Sequence, residues 1–563
     1  MKNLIKTIKT LFVLVLAIVM VAPVNTLAEG TTTNLAEGMK RNLTVSGLDT
    51  AHNEVVSIYK VMDVSVKGSV PVSPAYTWTD NIGAWVKTKY PTYADVVEVE
   101  SGASTVTKYA VTKTFSQLSN KGTEIAEFYD ALAAHIKEIN LGPTVPAVNN
   151  SKAASVTFSN LDLGGYFILV GSGARVYRPT SINVVPEFVE GTNGNPGSWV
   201  VVDDNTTTVN EKYSEPTIEK VVTETNGNTT TDKEETDVQI GTVLPYTIKV
   251  LIPNYPANAP GKKIVIGDTF GTGLTFNGDV KVYGLLTDNG TPELLNKDVN
   301  YKYEAVSTNG FKVTIDGTAV TVDSVETDMY ETVRQYKYIL VKYTGTVNSQ
   351  AAVTTGASNT ATLDYNNDPY NNTMCSVDGD DCTVPTDDVT VYTYGFSLKK
   401  IDKDTKAALT GAKFTIANSS SSATLIKFTG SNGVYVVAED QSASSGVVTE
   451  LEVASDGTLQ VSGLELGTYV VTETVAPDGY SKLAEPLNLT ITDVKNNDNP
   501  SDNTPDGKED SNTTGYFGKD IENSQVYILP VTGGMGTLLF SVIGIVFMGI
   551  GAFLVKNVLK REQ

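Results

Sequence analysis

From about residue 35 to residue 525 the chain is written in short runs of Val, Ile, Tyr and Thr, broken every few residues by Gly, Asn, Asp or Pro. Within the runs apolar residues tend to fall at alternate positions. A pleated strand sends successive side chains to opposite faces, so this pattern predicts strands with one buried face, joined by tight turns. It predicts an all-β protein of tandem immunoglobulin-like β-sandwiches. One segment departs from the pattern. Glu124 to Asn140 places Ile125, Phe128, Leu132, Ile136 and Ile139 at helical spacing, which predicts an amphipathic helix added to the first domain.

At 563 residues the chain is too long for one hydrophobic core. Polar, Asn- and Pro-containing stretches at Asn210–Pro216 and Asp364–Asp388 divide it into domains at 29–211, 212–388 and 389–526. The run Lys495–Ser511 reads as a loop inserted in the third domain.

The two ends read as addresses. Residues 1–28 contain Lys2, Lys6 and Lys9, an apolar run from Leu11 to Val24, and then Asn25-Thr26-Leu27-Ala28. That order describes a signal peptide cut near Ala28. At the other end, within 527–563, Leu529-Pro530-Val531-Thr532-Gly533 precedes an apolar segment, 537–555, long enough to span a bilayer. Lys556, Lys560 and Arg561 then stop it on the cytoplasmic side.

Removal of both ends takes away six bases and one acid, and the formal charge moves from −22 to −27. Such a body repels nucleic acid and anionic membrane, so no nucleic-acid partner is expected. With Cys375, Cys382, His52 and His135 as the whole complement of Cys and His, Cys/His metal clusters are excluded, and neither metal nor cofactor is expected. Asp378-Gly-Asp380-Asp381 lacks the ligand spacing of a calcium loop and reads as a solvated turn. Cys375 and Cys382 either close a short disulfide loop, as an extracellular setting favours, or stay free thiols.

The pentapeptide, apolar span and basic tail, in that order, resemble the cell-wall sorting signal of Gram-positive surface proteins. The resemblance implies that a sortase thiolate attacks the Thr532 carbonyl and expels the chain from Gly533 onward. The thioester then passes to an amine, supplied by peptidoglycan or by a lysine of another copy of the chain.

Alternation also places polar groups inside. In the third domain Phe396, Leu398 and Lys400 share one strand face, and Lys399 faces solvent. Ile521 and Asn523 share a face, as do Tyr469, Val471 and Glu473. Three inward polar groups are costly unless they pair. Burial favours a neutral amine and a protonated acid. Lys400 can then attack the Asn523 side chain, with Glu473 polarising the amide and moving protons, to leave an isopeptide bond and ammonia. The second domain offers a parallel trio: Lys220 between Ile218 and Val222, Asp268 between Ile266 and Phe270, and Asn359 before Ala361 and Leu363. The first domain echoes the third, Leu161-Asp162-Leu163-Gly164-Gly165-Tyr166 against Leu464-Glu465-Leu466-Gly467-Thr468-Tyr469. Val170 stands there where Glu473 stands in the third, so no bond of this type is expected, and Lys60 reads as salt-bridged or uncharged.

Tyr469-Val-Val-Thr-Glu473-Thr-Val-Ala-Pro477-Asp-Gly-Tyr480 resembles the E-box of the collagen-adhesin B-type domains of Gram-positive pilins and adhesins, and Leu398-Lys-Lys400-Ile-Asp402 resembles their opening strand. Gly267-Asp268-Thr269-Phe270 and Ser358-Asn359-Thr360-Ala361 resemble the middle domain of backbone pilins. The family implies a covalent shaft of identical subunits on the cell surface, with ancillary pilins as further partners, and an acceptor lysine near the end of the first domain. Lys212 follows the strand that opens at Trp199 and is the candidate; the family's Tyr-Pro is missing before it and its spacing from Trp199 is longer. Two other readings stay open. One is a solitary wall-anchored adhesin that binds a host or neighbouring-cell ligand. The other is an anchored enzyme, for which no convergent catalytic set is found beyond the self-crosslinking trios.

Overall fold

The computed structural model describes residues 31–101, 104–119, 122–191, 196–209, 213–226, 229–306, 309–317, 320–322, 325–351, 353, 356–370, 373–375, 384–419, 424–491, 516–527 and 534–560. Their architecture is predominantly β, as the alternation predicts.

In the first region a large sheet runs in the order Thr180–Val184, Gly164–Gly171, Val55–Lys67, Val70–Trp78, Ser104–Val111, Ala94–Ser101. A three-stranded sheet, Asp204–Thr208, Lys40–Ser46 and Ser155–Asp162, faces part of it. The helix read from the sequence spans Thr123–Glu138 and buries Ile125, Phe128, Leu132 and Ile136. A second helix, Asp80–Lys89, was not legible in the pattern. It is short, has Gly83 at its centre, and is held through Ile82 and Val86 against Trp78, Phe128 and Phe167. Packing creates this helix more than propensity does.

The next sandwich stacks two sheets. One runs Thr229–Lys233, Thr217–Asn226, Val243–Leu251, Tyr338–Val347, Lys281–Leu285, Glu293–Leu294. The other runs Glu235–Asp237, Thr386–Tyr392, Ala357–Asp368, Lys263–Phe270, Gly310–Asp316, Lys302–Val306. Part of the stretch read as a linker is therefore strand. Asp364–Asp368 completes Ala357–Asp368, with Asn366 and Asn367 buried. These amides survive burial because each donates to a carbonyl: Asn366 to Gly261 at 2.7 Å, and Asn367 across the boundary to Gly173 of the first region at 2.8 Å. Tyr365 bonds Ala174 in the same junction.

The last sandwich pairs Phe428–Ser431, Val434–Val437, Thr458–Leu464, Tyr394–Asp402 and Tyr516–Asn523 against Leu451–Glu452, Lys413–Asn418, Gly467–Val475 and Leu487–Ile491. One hydrophobic core is continuous through the second and third sandwiches. Gly241 sits at their seam with φ +89°, and a Cβ there would lie 2.2 Å from the Glu439 carbonyl oxygen. Only glycine permits so close an approach at that backbone conformation. Beyond the sandwiches a helix spans Gly534–Leu559, and Thr537–Leu559 is apolar enough to cross a membrane, with mean hydropathy 2.6.

Candidate functional site

Thr217–Asn226 begins the middle sandwich, and its alternation drives Lys220 into the core, where the side chain is 0% exposed. The amine crosses to the facing sheet and meets Asp268 Oδ2 at 2.5 Å. Asp268 and Asn359 lie on adjacent antiparallel strands, with Asp268 opposite Ala361 and Phe270 opposite Asn359. Tyr343 donates its hydroxyl to the same Oδ2 at 2.8 Å. Its ring stacks on Tyr246 at 5.6 Å, Phe270 stands edge-on to both, and the Lys220 amine lies 5.7 Å from the Tyr246 centroid. The amine thus sits in a dry aromatic box.

The Asn359 side chain is fully buried against the Asp268 carboxyl and the Tyr343 hydroxyl. Even so, neither its Oδ1 nor its Nδ2 makes a hydrogen bond of ordinary geometry among the described residues, and neither does Asp268 Oδ1. Orphaned polar atoms in a core cost on the order of 1–3 kcal/mol each and call for an explanation. Burial pushes the Lys220 amine down to about 8 and the Asp268 carboxyl up. Both shifts favour the neutral forms, the ones that an amine attack on an amide needs.

In the last sandwich Lys400 and Asn523 occupy neighbouring parallel strands, Tyr394–Asp402 and Tyr516–Asn523, with Lys400 opposite Ile521 and Asp402 opposite Asn523. The Lys400 amine donates to Asn523 Oδ1, and to the Ile521 carbonyl at 3.3 Å. Glu473 reaches in from the other sheet. Its Oε1 lies 3.4 Å from the Lys400 amine and accepts Asn523 Nδ2 at 3.0 Å, while Oε2 accepts the Leu483 N–H at 2.7 Å. Lys400 and Glu473 side chains are 0% exposed, and burial lowers the Lys400 pKa. Lys399 points to solvent, as the alternation requires.

Two supports were not read from the sequence. Tyr343 is one; the Lys220, Asp268 and Asn359 periodicities gave no reason to single out an aromatic on a fourth strand. The other is the contact of Tyr480 with Asp402. The Tyr480 hydroxyl donates to Asp402 Oδ2 at 2.7 Å, and Asp402 Oδ1 accepts the N–H groups of Asp404 and Thr405. Lys403 N–H holds the Asn523 carbonyl at 3.0 Å. The E-box loop is thereby tied to the end of the Lys400 strand, whose next residue holds the asparagine.

The first region lacks such a trio at the echoed place. Val170 is buried, and Lys60 pairs with Asp63 at 2.8 Å toward solvent. The echo itself has a structural cause, since Tyr166 donates to the Asp162 carbonyl at 2.7 Å and Tyr469 to the Glu465 carbonyl at 2.8 Å. Each is a tyrosine that ties the start of its strand to the preceding turn. Residues 1–28, Lys212, Cys382, the Cys375 side chain, Asp378–Asp381, the Lys495–Ser511 insert, and Leu529, Pro530, Thr532 and Gly533 lie outside the described residues. Among the described residues no group of three His, Cys, Asp or Glu is placed to hold a metal ion.

The SpaA family of prealbumin-like fold domains matches residues 395–504, which hold Lys400 and Glu473. In sequence the chain is 27% identical over 398 residues to the trypsin-resistant surface T6 protein of Streptococcus pyogenes serotype M6, covering 62% of this chain and 69% of that one. Among solved structures, the T6 backbone pilin of serotype M6 Streptococcus pyogenes, itself a modular three-domain structure, aligns over 81% of each chain with TM-score 0.52 and 20% identity. The full-length major pilin SpaD of Corynebacterium diphtheriae aligns over 88% of this chain and 99% of its own, with TM-score 0.45 and 16% identity.

Proposed function

We propose that this chain, a relative of the Gram-positive backbone pilins, is the shaft subunit of a sortase-assembled surface pilus, reinforced inside each subunit by Lys–Asn isopeptide bonds. The observation that carries the reading is the coincidence of two buried amine, amide and acid clusters with a pilin-like fold. Among its relatives, the T6 protein of serotype M6 Streptococcus pyogenes is a surface protein and backbone pilin.

The self-crosslinking chemistry is the same at both clusters. Lys220 or Lys400 in its neutral form attacks the side-chain carbonyl carbon of Asn359 or Asn523. Asp268 or Glu473 takes a proton from the amine and gives one to the departing nitrogen, which leaves as ammonia. The cores supply proximity and dryness, and no cofactor enters. One bond would link the two sheets of the middle sandwich. The other would link the first strand of the last sandwich to its final one. The domains are assigned as 29–211, 212–392 and 393–526; the boundary expected at 388 moves to 392 because Thr386–Tyr392 pairs with Ala357–Asp368 in the middle sandwich.

Assembly uses the ends. Sortase cleaves after Thr532, and the acyl group passes to Lys212 of another subunit during growth or to peptidoglycan at termination. Lys212 immediately precedes Tyr213–Ser214, which pairs with Val176–Tyr177, and Arg175 lies 4.1 Å over the Tyr213 ring. That clamp would hold the acceptor at the junction of the first two domains, two sandwiches away from Thr532. The helix Gly534–Leu559 would keep the precursor at the membrane until cleavage. Cys375 and Cys382 are assigned to a disulfide, in the stretch of chain between Asn359 and Lys400.

The test is Lys212→Arg and Thr532→Ala in a host that expresses the matching sortase. The parent should give a high-mass ladder in wall extracts, Lys212→Arg a wall-linked monomer, and Thr532→Ala no wall-linked material. A parent that yields one band favours the solitary adhesin, and a ladder undiminished in Lys212→Arg moves the acceptor elsewhere.

A further inference from the structure

The two carboxyl oxygens of Asp268 have unlike surroundings. Oδ2 accepts the Lys220 amine at 2.5 Å and the Tyr343 hydroxyl at 2.8 Å, whereas Oδ1 makes no hydrogen bond of ordinary geometry among the described residues. Asn359 interacts with the same carboxyl, yet neither its amide oxygen nor its nitrogen makes a hydrogen bond of ordinary geometry among the described residues. We infer that Tyr343 is a positioning residue for the Lys220–Asn359 crosslink: by occupying Oδ2 it assigns Oδ1 as the oxygen that carries the proton to the Asn359 amide. This rests on the self-crosslinking reading above.

The physical reason is basicity. An oxygen that already accepts two hydrogen bonds has its lone pairs committed and is the poorer proton acceptor, so a neutral Asp268 is protonated on the other oxygen. As the Nζ–Cγ bond forms and the Cγ–Nδ2 bond breaks, the Oδ1 proton goes to the leaving nitrogen and a lysine proton returns to the carboxylate. Ammonia departs, and Asp268 ends in the state in which it began. Tyr343 keeps its proton throughout. The last sandwich solves the same problem differently. There the Leu483 backbone N–H pins Glu473 Oε2, and Oε1 faces both Lys400 and Asn523. Removing that backbone donor takes a proline at 483, which also constrains the backbone, so the middle site gives the cleaner test.

The Tyr343 ring is fixed independently of its hydroxyl. It is buried, stacks on Tyr246, and meets Phe311 edge-on at 4.9 Å. Tyr343→Phe should therefore keep the packing and lose the hydrogen bond.

The experiment is cell-free synthesis of the full chain, parent and Tyr343→Phe, at a series of pH values, with timed sampling and peptide mass spectrometry of both crosslinks. Lys400–Asn523 formation in the same molecules reports folding. The expected result is Lys220–Asn359 formation slowed about tenfold, a fraction of what a whole general acid contributes, with Lys400–Asn523 unchanged. The alkaline fall-off of the rate should also move to higher pH, because a carboxyl relieved of a donor keeps its proton longer. A fluorinated tyrosine at 343, a stronger donor in the same shape, should move that limb the other way. A parent-like or faster rate in Tyr343→Phe, or a slower rate with an unmoved pH profile, overturns the inference. Absence of the Lys220–Asn359 bond from the parent overturns the crosslinking reading beneath it.

Discussion

Lys220 and Lys400 sit where lysine rarely does, each with a fully buried side chain. Stretched alone across a core, such an amine would cost several kcal/mol, and a carboxylate beside it offsets only part of that cost. The asparagine is what distinguishes these clusters from ordinary buried ion pairs. In the third sandwich the amide is held by both partners, its oxygen by Lys400 and its nitrogen by Glu473. Glu473→Ala should leave Lys400 and Asn523 unlinked and the third sandwich weaker, by more than the roughly 3–5 kcal/mol of a broken buried pair, since the crosslink is lost as well. Asp268→Ala should do the same in the middle sandwich alone. Thermal melts and peptide masses of the two variants check this; a crosslink that still forms at full rate in either contradicts the assigned role of its acid. All six trio residues were legible from alternation, because one inward polar residue among Ile, Val, Leu and Phe stands out at period two. Tyr343 was not. A tyrosine facing a core is so ordinary that only the coordinates separate a packing ring from a hydrogen-bond donor.

At the scale of strands, the order of the sheets decides how load would travel. Force entering at Lys220 would cross to Asn359 and bypass the strands between them. It would then follow the backbone from Asn359 to Lys400 before crossing again to Asn523. That intervening stretch includes most of Ala357–Asp368, all of Thr386–Tyr392 and most of Tyr394–Asp402, held by hydrogen bonds and core packing and by neither of the two proposed crosslinks. Full extension of this stretch spans about 14 nm, and a Cys375–Cys382 disulfide would shorten it by about 2 nm. Single-molecule pulling between residues 212 and 527 should therefore release on the order of 10 nm, slightly more after reduction. A release near 100 nm, the contour of an unlinked chain from Lys220 to Asn523, would contradict the assignment. The same strands mark where the sequence misled. Asp364–Asp388 is rich in Asn and Asp and reads as linker, yet its first residues are strand, because Asn366 and Asn367 find carbonyl partners that only the folded neighbours supply. The Asp80–Lys89 helix escaped for a related reason, being short and fixed by aromatic packing more than by its own periodicity.

For the whole molecule, a continuous core runs through the second and third sandwiches, and Asn367 and Tyr365 tie the second to the first through buried hydrogen bonds. Internal crosslinks and two reactive groups set two sandwiches apart are the properties that a covalent shaft needs. The strong negative charge suits an exposed surface polymer, which must stay soluble and resist adsorption. Crosslinking is the claim on which the rest depends, and mass reads it without assumptions about assembly. The chain from residue 29 to 527, secreted without sortase and weighed intact, should fall short of its sequence mass by about 34 Da, two ammonia molecules, after any disulfide is accounted for. Tryptic peptides should then join Lys220 to Asn359 and Lys400 to Asn523. A folded protein at its full sequence mass, with those four residues in unlinked peptides, would contradict the account.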